Sequence, residues 1–239
     1  MISTKKRWNI PEMMDSPRVN KKLLHKNLEE LDFMNRYTGG HAITLQGVKT
    51  LVDKQKTYQI TDLGCGSGDT LKYIAQWARK KKLRFQLTGI DKSIYAIQYL
   101  KKNCKGFPEV SGIVADYKDF LESAPQSDIY LCSLFCHHLD NESLIELLKS
   151  LKKHARVGFV INDLHRNIIA YYSVWILTRL LNGTVLSKND GPVSVLRAFT
   201  RKELEQLLNK AGIQNFSISW KWAFRYRVIV NNVKPVNIE

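Results

Sequence analysis

Apolar and polar positions follow two alternating rhythms from Tyr58 onward: short apolar runs of strand length, then stretches with apolar residues every three or four positions. Residues 58–63, 85–91, 112–116, 128–134 and 157–163 read as five strands. The helices between them include 70–82, one capped by Ser93, and 141–154. Continuous apolar strands separated by amphipathic helices specify a parallel sheet covered on both faces.

The flanks break this rhythm. Up to about Leu45 the chain is charged and helical in pattern, with Leu23, Leu24, Leu28, Leu31 and Phe33 at helix-like spacing. The stretch Asn35-Arg36-Tyr37-Thr38-Gly39-Gly40-His41 interrupts it, and a helix over 42–53 leads into the core. Beyond Asp163, residues 168–181 are almost wholly apolar but too few to span a bilayer. A polar turn is expected through 182–192. Thr200 with Glu203 forms a capping box for a helix ending near Ala211-Gly212, and 213–220 and 223–230 read as an antiparallel strand pair. The expected organisation is a helical arm over 1–50 and one α/β domain over 51–239, with an insert at about 166–198.

Composition is that of a folded globular protein, with 44% hydrophobic and 25% charged residues among 239. Cys65, Cys104, Cys132 and Cys136 are scattered through element-like segments, as in reduced cytoplasmic proteins, and the charged N-terminus carries no apolar signal region. Lys and Arg number 37 against 22 acids, a net charge of +15 that favours polyanions: nucleic acid, an acidic membrane face or an acidic carrier protein. The basic residues are dispersed, which is the pattern of a solvated surface rather than a binding stripe.

The richest chemistry lies at the end of the first strand, in Asp62-Leu63-Gly64-Cys65-Gly66-Ser67-Gly68-Asp69. Three alternating glycines let the backbone bend and approach a ligand, and the next helix aims its free N–H groups at it. A dinucleotide fingerprint needs its third glycine or an alanine where Asp69 stands, and a P-loop needs Lys-Ser or Lys-Thr after the last glycine. Acids at Asp62 and Asp69 repel a pyrophosphate and suit a cationic or hydroxyl-bearing ligand.

The motif resembles the first motif of class I S-adenosylmethionine-dependent methyltransferases. That resemblance implies a Rossmann-like α/β fold: a central, mostly parallel seven-stranded sheet with an antiparallel last strand, an N-terminal helical lid, and a helical insert after strand five as substrate cap. It also implies S-adenosylmethionine as cofactor. Asp91, ending strand two, would accept the ribose hydroxyls. Asp116 would bond the adenine amino group and Tyr117 pack on the ring. Asp62, Gly64, Cys65, Gly66, Lys92 and Ser133 would complete the cofactor site, with Asp69 a weaker addition.

Cys132-Ser133-Leu134-Phe135-Cys136-His137-His138-Leu139-Asp140 follows strand four. Cysteine and histidine are zinc ligands, but no second ligand pair stands at a workable spacing, so no metal is expected. The stretch resembles the "HHL" segment of ubiquinone- and menaquinone-biosynthesis methyltransferases, and the chain also resembles bacterial polyketide-pathway methyltransferases. Methyl transfer needs alignment of donor and acceptor, plus a base where the acceptor is a hydroxyl or acidic carbon. His137 and His138 are the candidate bases, His165 the next, and Arg166 would hold an anionic acceptor. The implied acceptor is small and hydrophobic (aromatic, quinol or polyketide-like), with peripheral membrane contact as a further expectation. An RNA or other nucleic-acid methyltransferase is the alternative, though neither Asn/Asp-Pro-Pro-Tyr/Phe nor a Pro-Cys nucleophile motif is present. A non-catalytic scaffold leaves Asp91 and Asp116 unexplained.

Overall fold

Among the described residues, seven strands form one sheet in the order β3-β2-β1-β4-β5-β7-β6: β1 (Tyr58–Leu63), β2 (Phe85–Asp91), β3 (Val110–Val114), β4 (Ser127–Ser133), β5 (Ala155–Leu164), β6 (Phe216–Lys221) and β7 (Arg225–Asn231). The computed structural model describes residues 2–16, 18–53, 57–123 and 127–233. Strands β1 to β5 pair in parallel, and β7 runs antiparallel to both β5 and β6. This is the Rossmann-like class I methyltransferase architecture. Strand order reverses between β1 and β4, so the loops after both open a crevice at their carboxyl ends.

Alternation along the strands sends side chains into two cores. Tyr130, Cys132, Phe159 and Ile161 face α6 (Asn141–His154) and α9 (Arg201–Lys210). Ile129, Leu131 and Val160 face α2 (Gly40–Leu51), α3 (Asp69–Lys80) and α4 (Ile94–Asn103). In α3 the buried Leu71, Ile74, Ala75 and Ala78 form a stripe at helical spacing, and burying each of its two large residues contributes roughly 1.5–3 kcal/mol. Helix α2 packs on β5 closely enough that a Cβ at Gly47 would meet Val160 Cγ1 at 2.6 Å. It therefore belongs to the sandwich, while α1 (Lys21–Tyr37) crosses the crevice.

Local capping follows the sequence. Ser93 and Asp140 accept the Ala96 and Ser143 N–H groups, and Thr200 with Glu203 forms the full capping box. Three expectations need correction. Strand β3 ends at Val114, so Asp116 sits beyond it in the loop before α5 (Tyr117–Ser123), a helix that the periodicity did not predict. Strand β6 starts at Phe216, because the Ile213 N–H closes α9 by donating to Leu208 O (3.0 Å). The polar turn expected over 182–192 is mostly helix: α7 (Ile168–Leu180) is followed by α8 (Val185–Arg197), which contains Pro192. Asp190 was a turn signal, but it is buried and accepts the Met13 and Met14 N–H groups (2.8 and 2.9 Å). Tertiary bonding outweighs local turn preference there.

Candidate active site

The glycine turn after β1 is sewn to the end of β2. Gly64 and Cys65 N–H groups both donate to Ile90 O (2.8 and 3.0 Å), and the Gly66 N–H donates to Asp91 Oδ2 (3.0 Å). Gly66 and Gly68 have φ of 51° and 74°, and a Cβ on Gly68 would sit 2.6 Å from Leu100 Cγ. Asp91 Oδ1 accepts the Ser93 N–H at 2.8 Å. Each carboxylate oxygen has a second lone pair, so Asp91 can still accept from a diol. Burial, outweighing these bonds, raises the Asp91 carboxyl. Asp62 is buried with Oδ1 unpartnered, and burial with the nearby Asp91 charge pushes its carboxyl well up.

The other expected cofactor residues divide. Asp116 accepts the Lys118 N–H through Oδ1 (2.8 Å) and lines the same cavity. Tyr117 lies edge-on to Phe135 with ring centroids 5.3 Å apart, and its buried hydroxyl has no partner. Burial, with Asp116 beside it, pushes that phenol up to about 12. Ser133 lines the cavity, with its hydroxyl 2.9 Å from Thr44 Oγ1 of α2. Cys65 packs beneath Gly89 and is kept a thiol by burial. The Lys92 ammonium is 3.0 Å from Asp15 Oδ1 and anchors the N-terminal segment. Asp69 is held by Ser67 and by Asn103 (2.6 Å).

From this turn a cavity of about 760 Å³ extends under α1, α7 and α8 to the β6–β7 hairpin. Leu24, Leu28 and Leu31 of α1 line one side. Helix α7 gives Ala170, Ser173, Val174 and Leu177 to the cavity and exposes Ile169, Tyr172, Ile176 and Leu180 on its outer side. An N-terminal strap (residues 2–16) crosses this end. Its Trp8 N–H donates to Leu196 O (3.1 Å), and the Arg7 guanidinium covers the Phe199 ring at 4.2 Å.

The strap delivers Glu12 to the two histidines. His137 Nε2 is 3.4 Å from Glu12 Oε1, and His138 Nε2 is 3.8 Å from Glu12 Oε2. Each ring's Nδ1 is held by a carboxylate: Asp163 at 2.7 Å from His137 and Asp15 at 2.8 Å from His138. Burial disfavours the His137 cation, but Asp163 and Glu12 outweigh it and push the imidazole up to about 10. The histidine's charge in turn holds Glu12 and Asp163 below the usual carboxylate range, against the opposing effect of burial. Arg197 pins this backbone, donating to His137 O (3.0 Å) and His138 O (2.7 Å).

Three residues expected at this end are placed differently. His165 turns away from the cavity wall, because its N–H donates to Phe224 O (2.8 Å) and its ring packs on Tyr226, centroids 4.8 Å apart. Arg166 is fully employed in structure, donating to Thr4 O, Ala198 O and Glu203 Oε1 (2.8, 2.6 and 2.6 Å). Both ring nitrogens of His137 face carboxylates, Asp163 at Nδ1 and Glu12 at Nε2. Glu12, which no spacing in the sequence pointed to, stands against both histidines.

Sequence reading missed Glu12, Asp15 and Arg225. Nothing marks the acids in the irregular segment Ile10-Pro11-Glu12-Met13-Met14-Asp15. Arg225 did leave a signal, as one of two arginines in an expected strand (223–230) whose other residues are apolar or aromatic. It lines the cavity, buried, with Nη2 donating to Asn35 Oδ1 (2.8 Å) while Nε and Nη1 have no partner. Burial lowers its guanidinium to about 10, so it remains a cation at neutral pH.

The turn, the acids after β1 to β3 and the sheet order together resemble the layout of class I, S-adenosylmethionine-dependent methyltransferase domains. Residues 60–158 match the family model described as "Methyltransferase domain". Among solved structures the chain is similar to the plantazolicin methyltransferase BpumL in complex with SAH (20% identity, 89% of this chain and 95% of that one, TM-score 0.64). It is also similar to a SAM-dependent methyltransferase from Aquifex aeolicus (17%, 90% and 100%, TM-score 0.60). Human N-acetylserotonin methyltransferase with SAM is a third likeness (14%, 90% and 57%, TM-score 0.61). No curated protein sequence matches the chain significantly.

Proposed function

We propose that the protein transfers the methyl group of S-adenosylmethionine to an oxygen or carbon of a small hydrophobic acceptor, of aromatic, quinol or polyketide-like character. The observation that carries this reading is the covered cavity, polar at the glycine turn and apolar under α1 and α7. The bound cofactor supplies an electrophilic methyl on a sulfonium centre. Asp91 accepts from the ribose hydroxyls, Asp116 from the adenine amino group, and Tyr117 flanks the ring. Asp62 offers its unpartnered Oδ1 to the cofactor's ammonium, whose charge would draw the carboxyl toward its ionised form.

At the other end, Arg225 presents two unpartnered donors to an acceptor oxygen and stabilises negative charge on it. The Glu12–His137–His138 cluster borders the same end of the cavity and would orient that oxygen. The walls exclude water and hold the acceptor in line with the methyl. The covering by strap, α1 and α7 weighs against a polynucleotide. No helix among the described residues is long and apolar enough to cross a membrane, and the greasy outer face of α7 supports peripheral contact with a membrane on the cytoplasmic side.

The test incubates the protein with methyl-labelled cofactor and separate pools of quinols, aromatic polyketides and RNA. Label in a small apolar pool is expected. Label confined to RNA, or in none of them despite cofactor binding by calorimetry, overturns the reading.

A further inference from the structure

We propose that Glu12, His137 and His138 form a binding site for a divalent transition-metal ion of the Zn²⁺ type at the acceptor end of the cavity. One ligand atom from each lies within 4.8 Å of the others. The Nε2–Oε separations of 3.4 and 3.8 Å approach the edge of a tetrahedron with zinc–ligand bonds, about 3.3 Å. At 3.8 Å, His138 Nε2 and Glu12 Oε2 are beyond hydrogen-bonding reach of each other.

The surroundings are those of a built site. Asp163 and Asp15 hold the two Nδ1 atoms, which fixes both rings with Nε2 turned inward, as carboxylates do behind metal-ligating histidines. Glu12 is further oriented by Ser194, whose hydroxyl donates to Oε1 at 2.8 Å. Arg197 immobilises the histidine backbone. Two imidazoles and one carboxylate, with no thiolate, suit Zn²⁺ better than the oxygen-seeking Ca²⁺ or Mg²⁺. All three side chains border the cavity, leaving the fourth position for a water or an acceptor oxygen. Entry of the ion displaces the Nε2 proton of His137 to solvent, and no oxidant or reductant is needed. Only the ion's role in holding an acceptor oxygen rests on the methyl-transfer reading.

The experiment uses the full chain, stripped with EDTA and dialysed, then titrated with Zn²⁺ by calorimetry and in competition with a chromophoric chelator. One equivalent per chain is expected. Glu12→Gln and His138→Gln should each weaken it at least 100-fold, and Asp15→Asn, altering a partly exposed outer residue, about 10–100-fold. Cofactor affinity of each variant serves as the control for folding. Absence of stoichiometric Zn²⁺ uptake by the unaltered protein overturns the site, as does uptake unchanged in both Glu12→Gln and His138→Gln. Label transfer by the same stripped and loaded samples is scored separately. Its absence from every acceptor pool would count against methyl transfer while the zinc stoichiometry decides the site.

Discussion

At the glycine-turn end of the cavity the polar wall comes from the loops after β1, β2 and β3, whereas the opposite end gathers Glu12, His137, Asp190 and Arg225, with Asp163 behind His137, from five distant places in the chain. The first end is held by short-range backbone bonds, such as Gly66 to Asp91 and Ser93 to Asp91. The second is held by long-range side-chain bonds, such as Arg197 to the histidine carbonyls and Asp190 to the strap. One end is a property of the fold's consecutive β–loop–α units. The other is a property of how the additions to the sheet pack against each other.

If the two ends are separable, changes at one should leave the other's ligand unaffected. The largest effect is expected for Gly68→Val, which combines a strained φ with a collision at Leu100. It should cost about 3 kcal/mol or more in denaturant unfolding. Asp91→Ala should weaken S-adenosylmethionine roughly 100-fold in calorimetry, by losing charge-assisted bonds to the ribose and the anchor of the turn. Arg225→Met should leave cofactor affinity and melting temperature nearly unchanged, since a buried cation with unpartnered donors is replaced by an apolar chain of similar length. It should lower kcat/KM for the acceptor roughly 10–100-fold. An Arg225→Met variant that loses cofactor affinity instead would merge the two ends.

Smaller effects probe the additions alone. Asp190→Ala removes the acceptor of two strap N–H groups, and faster amide exchange at Met13 and Met14 is expected, with a stability loss of about 1–3 kcal/mol. The smallest effect concerns pH. Burial would raise the Glu203 carboxyl, but Arg166 and the Thr200 cap hold it below its ordinary 4.5. A carboxyl lowered on folding adds stability that is complete above its unfolded pKa and lost as pH falls through the folded one. The melting-temperature deficit of Glu203→Gln should therefore be full near neutrality and shrink below about pH 4.5. A constant deficit would deny the ion pair its role.

This contrast also explains what was legible in the sequence. The strand, glycine turn and Asp91 lie within one β–α–β unit, where periodicity and turn chemistry are local and point to the same geometry. All five parallel strands and the capping box at Thr200 were readable for the same reason. Asp190-Gly191-Pro192 was misread as a turn because the bonds that stabilise α8 there come from residues near the N-terminus. His165 and Arg166 sat beside the expected mouth in sequence, yet a one-residue extension of β5 to Leu164 sends them elsewhere. Glu12 carried no periodic or motif signal, because its role depends entirely on where the strap lands.

The strap has one further consequence, which concerns descent rather than chemistry. It adds no strand to the sheet, and its only regular element is a single 3-10 turn at Met13–Asp15. Substitutions within it can therefore change which acid meets His137 and His138 while leaving every strand pairing of the sheet in place. Divergence among proteins sharing this architecture is expected to be fastest there, and a lineage could exchange one acceptor for another by rewriting those few residues while inheriting the sheet and the glycine turn intact.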